Sequence, residues 1–319
     1  MNQYLTVNRI EFAVTYLCNS ECRHCQLGKD RQGRESPNHI DKSKAAEIVR
    51  KVGTKYSPQS IMTFGGEPLL YPDVVCSIHK EAAEVGIPVR DVITNGFWGT
   101  QTKEIQKIAN NLVESGVNKV SISVDSFHQE FIPLEIVKKA AQSLVDAGMP
   151  HVSWNPCWVV SRDHDNQYNH KTKALLNQLK DIPALESEGN IAQPRGRAQV
   201  LLRQLFPPRT RMPKGKCGDI PYAEELDSVK TLYVEPDGSI DVCQEFCIGN
   251  ASETDIIDLI EDYDPWNISE AGAIIESGME GLANWAKTKG AEPDPKGYYD
   301  ICHMCTDLRN KAKRTRPSR

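Results

Sequence analysis

Three of the chain's ten cysteines, Cys18, Cys22 and Cys25, stand within “TYLCNSECRHCQLG”, separated by three residues and then two. That spacing fits neither a Cys-x-x-Cys redox pair nor a paired-knuckle zinc site. Three thiolates on one tight loop can hold three irons of a cubane cluster and leave the fourth iron open to another ligand. A zinc site completed by His24 or by a distant cysteine uses the same residues, and spacing alone leaves both readings standing. Five more cysteines, Cys217, Cys243, Cys247, Cys302 and Cys305, fall in the last third. Cys76 lies on a helical pattern and Cys157 in an apolar run, and both read as packed core thiols.

The chain that must position these groups has 319 residues, 39% hydrophobic and 25% charged, enough for one large and one smaller domain. A net charge of −5 gives no general reason to expect nucleic acid or an anionic membrane as partner. The one basic run, “LRNKAKRTRPSR”, reads as a solvated, frayed terminus. No apolar run reaches the ~20 residues of a membrane span, and the N-terminus lacks signal-peptide character. The expected location is the cytoplasm, where structural disulfides are rare, so ten cysteines point to metal or iron–sulfur ligation.

Between residues 9 and about 195, β-prone runs alternate with amphipathic helical stretches: “RIEFAVTYL”, “SIMTF”, “VRDVIT”, “KVSISVD”, “HVSWNPCWVV” and “LESEGNIAQ”. Asp41 is a plausible N-cap for the first helix, which Gly53 is expected to stop. Strand–helix alternation predicts a parallel α/β sheet, open or partly barrelled, with functional residues at the C-terminal strand ends. The unusual segments obey that rule: “LCNSEC”, “GGEP”, “TNGFW” and “DSFH” each follow a strand. In “FGGEP”, Gly65 and Gly66 allow close backbone approach, and the Glu67 carboxylate suits an ammonium group. “TNG” and “SVDS” supply polar groups suited to a ribose.

Taken in this order, these motifs closely resemble the radical S-adenosylmethionine (radical SAM) enzymes over residues 10 to about 200. The resemblance implies a partial (β/α)6 TIM-like barrel over 1–205, with a [4Fe-4S] cluster on Cys18, Cys22 and Cys25 and S-adenosylmethionine on the open iron. Carried over, His24 takes the usually aromatic position whose backbone meets adenine. Gly65, Gly66 and Glu67 hold the methionine amino group, Ser123 and Asp125 the ribose, and Asn95 lines the pocket. Arg197, in “QPRGRA”, meets the SAM carboxylate or the substrate. Val159, Val160 and Ile191 are candidates for adenine packing, with core packing as the competing role. The implied chemistry is one-electron cleavage of SAM, fed by an external reductant of flavodoxin or ferredoxin type, giving a 5′-deoxyadenosyl radical.

Residues 206–319 begin in the Pro- and Gly-rich “FPPRTRMPKGKCGD”, and “TLYVEPDGSIDVC” reads as a hairpin around Pro236-Asp237-Gly238. Cys217, Gly238-x4-Cys243 and Cys302-x2-Cys305 resemble the auxiliary-cluster domains called SPASM or twitch. Cys217, Cys243, Cys302 and Cys305 would then ligate one auxiliary [4Fe-4S] cluster, with a four-cysteine zinc site as the alternative. Such enzymes mostly modify peptides, and a partial match to the epipeptide epimerases leaves Cys247 over as a hydrogen donor for L-to-D inversion. Thioether or carbon–carbon cross-linking, a small-molecule or cofactor-biosynthesis reaction, group transfer from SAM, and a non-catalytic metal protein remain alternatives. Trp98, Trp154 and Trp158 could line a peptide channel or simply pack in the core.

Overall fold

In strand β1 (Leu5–Thr15), Ile10, Phe12 and Val14 are fully buried, while Arg9 and Glu11, on alternate positions, are only partly covered. That period of two gives β1 one apolar and one polar face. The computed structural model describes residues 2–27, 37–243 and 246–314. Strands β2 (Ser60–Gly65), β3 (Val89–Thr94), β4 (Lys119–Ser123) and β5 (His151–Asn155) run parallel to β1 in sequence order. Helices α1 (Lys42–Tyr56), α2 (Pro72–Glu84), α3 (Thr102–Glu114) and α4 (Leu134–Asp146) connect them. Their buried Ile48, Ile78, Leu112 and Leu144 share one core with Ile10, Ile61, Val92 and Val120.

Beyond β5 the chain departs from the simple strand count. “HVSWNPCWVV” breaks at Pro156, which offers no N–H to a ladder, so it yields β5 and a two-residue β6 (Cys157–Trp158). “LESEGNIAQ” likewise splits, into β7 (Leu185–Glu186) and β8 (Asn190–Ile191). β7 joins β5 as the sixth parallel strand, and β8 pairs with β6 in a separate ribbon. Helix α5 (Gln167–Asn177) lies between β6 and β7, and the short α6 (Gly196–Leu201) follows β8. The result is a partial barrel, open along the β7 edge.

The expected hairpin forms as β9 (Val229–Val234) and β10 (Ser239–Cys243), with β11 (Phe246–Asn250) beside it. β9 pairs in parallel with β1, giving one nine-stranded sheet in the order β11-β10-β9-β1-β2-β3-β4-β5-β7. The last third therefore extends the barrel sheet itself. Helices α7 (Ile256–Glu261), α8 (Ser269–Thr288) and α9 (Ile301–Arg314) complete the chain.

Two local expectations are corrected. Gly53 does not stop α1, which continues to Tyr56; a Cβ at Gly53 would lie 2.4 Å from Val85 Cγ2, so the glycine serves helix packing. The basic terminus is helical through Arg314, because Leu308, Arg309 and Ala312 are buried; residues 315–319 lie outside the described residues. Among the described residues, no helix is long and apolar enough to cross a membrane.

Candidate active site

The loop after β1 gathers Cys18, Cys22 and Cys25 at the C-terminal end of the sheet, with Cys22 buried and the other two half-buried. Cys25 N–H donates to Cys22 O at 3.2 Å, closing the turn between them. Burial pushes the Cys18 thiol up to about 11, with Glu67 adding to the rise, and Cys22 up to about 12. Two adjacent thiols so disfavoured as anions need a cationic group to become ligands, and a bound metal supplies that charge. Neighbouring donors are already aimed at them. Ser20 Oγ lies 2.9 Å from Cys22 Sγ, and Asn95 Nδ2 3.9 Å from Cys18 Sγ. These residues fit a thiolate-bound iron cluster.

Three segments from elsewhere fix this loop. Gly66 N–H donates to Thr15 O at 2.7 Å and Glu67 N–H to Leu17 O at 2.8 Å. A Cβ at Gly66 would lie 2.0 Å from Leu17 O, so the close approach the glycines permit is to the chain's own backbone. Asn95 Nδ2 donates to Asn19 Oδ1 at 2.7 Å. From α6, Arg197 N–H donates to Cys25 O at 2.9 Å.

Neither expected carboxylate stands open to a ligand. Glu67 is fully buried and accepts from Leu69 N–H (3.0 Å), Thr94 Oγ (2.7 Å) and Asn95 N–H (2.7 Å). Burial raises its pKa to about 7 against those bonds. Asp125, also fully buried, accepts from Phe127 N–H, His128 N–H, His128 Nδ1 and Cys157 N–H at 2.7–3.1 Å. Burial opposes ionisation there, yet adjacent His128 holds the carboxyl well below the usual range. Both acids brace the walls of the site, Glu67 between β2 and β3 and Asp125 between β4 and β6. Ser123 ends β4, buried and paired with Asn155.

His24 packs on Phe127 and His128, with ring centroids 4.9 and 4.8 Å away, and Phe127 stacks on Tyr168 at 5.0 Å. Of the adenine candidates, Val159 is buried and Ile191 exposed. Val160 is exposed, with φ +66°. A β-branched residue there is a genuine outlier. Buried Asn169 fixes this turn, accepting from Val159 N–H and donating to the carbonyls of Val159, Ser161 and His164 at 2.7–3.2 Å. Trp98, Trp154 and Trp158 are all core residues.

In the last third, Cys217, Cys302 and Cys305 are buried and Cys243 half-buried. Burial pushes Cys217 up to about 12; nearby Cys243 and Cys302 add to the rise, and Arg195 opposes it. Helix α8 breaks at Ser277-Gly278 (Gly278 φ +59°), where Met279 N–H donates to Gly215 O at 3.1 Å and pins the Cys217 loop. Cys302 and Cys305 lie one turn apart on α9, whose His303 bonds Gln199 of α6 at 2.8 Å. One short segment, 195–199, thus bonds both to the Cys25 loop and to the helix that carries Cys302 and Cys305. Cys247 is exposed, on β11, directly opposite Asp241.

The open parallel sheet, with three cysteines on the loop at its C-terminal edge and a backbone cradle beside them, places the chain in the partial-barrel class with a candidate metal-cluster loop. Residues 12–167 match the model of the Radical SAM superfamily, so this part of the chain carries a radical SAM domain. Among curated proteins it is 30% identical over 127 residues to the probable GTP 3′,8-cyclase of Methanocaldococcus jannaschii. That match covers 39% of this chain and 38% of the relative. It is 24% identical over 244 residues to the probable GTP 3′,8-cyclase of Sulfurisphaera tokodaii, covering 74% of this chain and 67% of the relative. The match thus spans well under half of the first relative's length. In fold the chain is similar to native anSMEcpe with bound AdoMet: TM-score 0.53, 13% identity, 98% of this chain and 96% of that one.

The residues that sequence reasoning missed are Ser20, His128 and Asn169. Ser20 and His128 sit inside the segments “LCNSEC” and “DSFH”, so their location was legible although their partners were not.

Proposed function

We propose that the chain holds its radical SAM cluster on Cys18, Cys22 and Cys25 and an auxiliary [4Fe-4S] cluster on Cys217, Cys243, Cys302 and Cys305. Its substrate in this reading is a peptide, with Cys247 returning hydrogen after abstraction. When bound, the first cluster, SAM and an external one-electron reductant supply the 5′-deoxyadenosyl radical that removes a substrate hydrogen. Gly65, Gly66, Asn95, Ser123 and the backbones of His24 and Arg197 line the place where SAM would sit. A cluster held by four protein thiolates keeps no open iron, so it would carry electrons and leave the substrate to side chains.

The observation that carries the hydrogen-donor role is the exposure of Cys247 beside Asp241. The other four cysteines after residue 206 are buried or half-buried. Asp241 pairs in turn with Tyr233, Tyr233 with Glu11, Glu11 with Met62 and Met62 with Asp91. Directly paired residues share a face, so Cys247 belongs to the polar face of the barrel sheet. Partial burial, with the Asp241 charge, pushes its thiol upward, which keeps the S–H that a hydrogen-atom donor needs.

The test is anaerobic SAM cleavage with dithionite in deuterated water, supplying a candidate precursor peptide. Wild type should give product with one deuterium, while Cys247→Ala should keep its iron and release 5′-deoxyadenosine without labelling the peptide. Iron lost in Cys247→Ala would make it a ligand and remove the donor role. The named GTP 3′,8-cyclase relatives favour a second reading, a small-molecule substrate; 5′-deoxyadenosine release stimulated by GTP and not by peptide would select it.

A further inference from the structure

We propose that Cys22, His24 and His128 form a zinc site in the iron-free chain, mutually exclusive with cluster assembly. The ligand atoms of the three residues all lie within 4.8 Å of one another. Two elements build the site: the loop after β1 contributes Cys22 and His24, and the turn after β4 contributes His128. Tetrahedral zinc with one sulfur and two nitrogens sets its ligand atoms about 3.5 Å apart, so closure by about an ångström completes the geometry.

Two further observations point to a ligand here. His128 Nδ1 bonds Asp125 Oδ2 at 2.7 Å, which leaves Nε2 as the ring's lone-pair nitrogen. A carboxylate behind an imidazole is the usual support for a metal-bound histidine, fixing its tautomer and orientation. His24 Nδ1 is buried with no hydrogen-bond partner among the described residues. Such a nitrogen is costly in a packed interior unless something binds it.

The donor set selects the ion. One thiolate with two imidazoles suits Zn2+, and three protein ligands leave a fourth position for water. Calcium and magnesium, which take oxygen ligands, are excluded by the same chemistry. The competing structural role is an aromatic cluster in which His24 merely packs on Phe127. That role explains the ring contacts but leaves the buried His24 nitrogen without a purpose. The exclusivity rests on the radical SAM reading, since Cys22 cannot serve zinc and iron together; the zinc site itself does not.

The experiment uses the full iron-free, reduced chain with Zn2+ and with Co2+ as a spectroscopic reporter. Wild type should bind one more equivalent than His128→Ala, or bind it at least tenfold more tightly. The Co2+ difference spectrum should show a single thiolate-to-metal charge transfer. His128→Ala should still load iron as wild type does, and zinc preloading should slow iron uptake in wild type alone. Should His128→Ala misfold, His24→Phe, which keeps the ring against Phe127, makes the same comparison. Equal stoichiometry, affinity and Co2+ spectra in wild type and both variants would overturn the site. Iron uptake measured without zinc reads the cluster assignment separately.

Discussion

The amide of Arg197 reaches the carbonyl of Cys25 across 2.9 Å, and the glycine before it makes that approach possible. Gly196 has φ +52°, and a Cβ there would lie 2.3 Å from Gln26 O and 2.6 Å from Cys25 O. Gly196→Ala must therefore push the third cysteine out of place. We expect a destabilisation of about 1–3 kcal/mol from overpacking and a drop in iron retained after desalting. Thermal denaturation and iron analysis read the two effects; unchanged iron with lowered stability would confine α6 to a structural role.

Glu67 gives a pH-dependent expectation. Its folded pKa of about 7 stands above the ordinary 4.5. Between those values the unfolded chain has lost a proton that the folded chain still holds. Its contribution to stability therefore falls as pH rises from 4.5 to 7 and is flat above. Glu67→Gln removes this slope. It also turns an amide NH2 toward backbone or hydroxyl donors, costing about 1–3 kcal/mol at any pH. Denaturant titrations across that range should show the wild-type advantage shrinking as pH rises; parallel curves would contradict the assignment.

Metal content separates the two thiol groups. Anaerobically reconstituted wild type should hold about eight irons per chain, the sum of two cubanes. Replacing Cys18, Cys22 and Cys25 together by Ala should leave about four, and so should replacing Cys217 and Cys302. Stoichiometric zinc in place of the second four, by elemental analysis, would replace the auxiliary cluster with a structural metal.

Val160 tests the strained turn beside the site. A β-branched residue at φ +66° costs roughly 1–3 kcal/mol, whereas glycine's extra unfolded-state entropy costs about 0.5–1 kcal/mol. Relief of strain outweighs entropy, so Val160→Gly should be neutral to stabilising by chemical denaturation. Asn169→Ala, which frees the carbonyls of Val159, Ser161 and His164, should destabilise by more than 1 kcal/mol. A destabilised Val160→Gly would mean that the valine side chain contributes packing beyond its strain.

The six parallel strands and the three-cysteine loop were legible because apolar runs, turn glycines and ligand spacing are local signals. Partners were not. “FGGEP” announces a carboxylate at a strand end, but only the fold shows Thr94 and Asn95 arriving from β3 to occupy it. “SVDS” places Asp125 at a strand end, but one of its four donors is the Cys157 amide, across a break that Pro156 makes in what the sequence presents as one strand. The pairing of β9 with β1 joins segments at opposite ends of the chain, beyond the reach of any periodicity.

That last pairing also orders the birth of the molecule. β1 is synthesised first, and Leu5 and Arg9–Phe12 have one flank against β2 and the other against Val229–Val234. Throughout translation of the barrel, therefore, the second flank of β1 stays bare, its N–H and C=O groups open to any passing strand. A ribosome stalled before residue 229 would release a chain with a sticky central seam, and closing that seam late requires the longest loop in the fold. The strand order alone thus makes the pairing of β9 with β1 a late step of folding, independently of the chemistry at the cysteine loop.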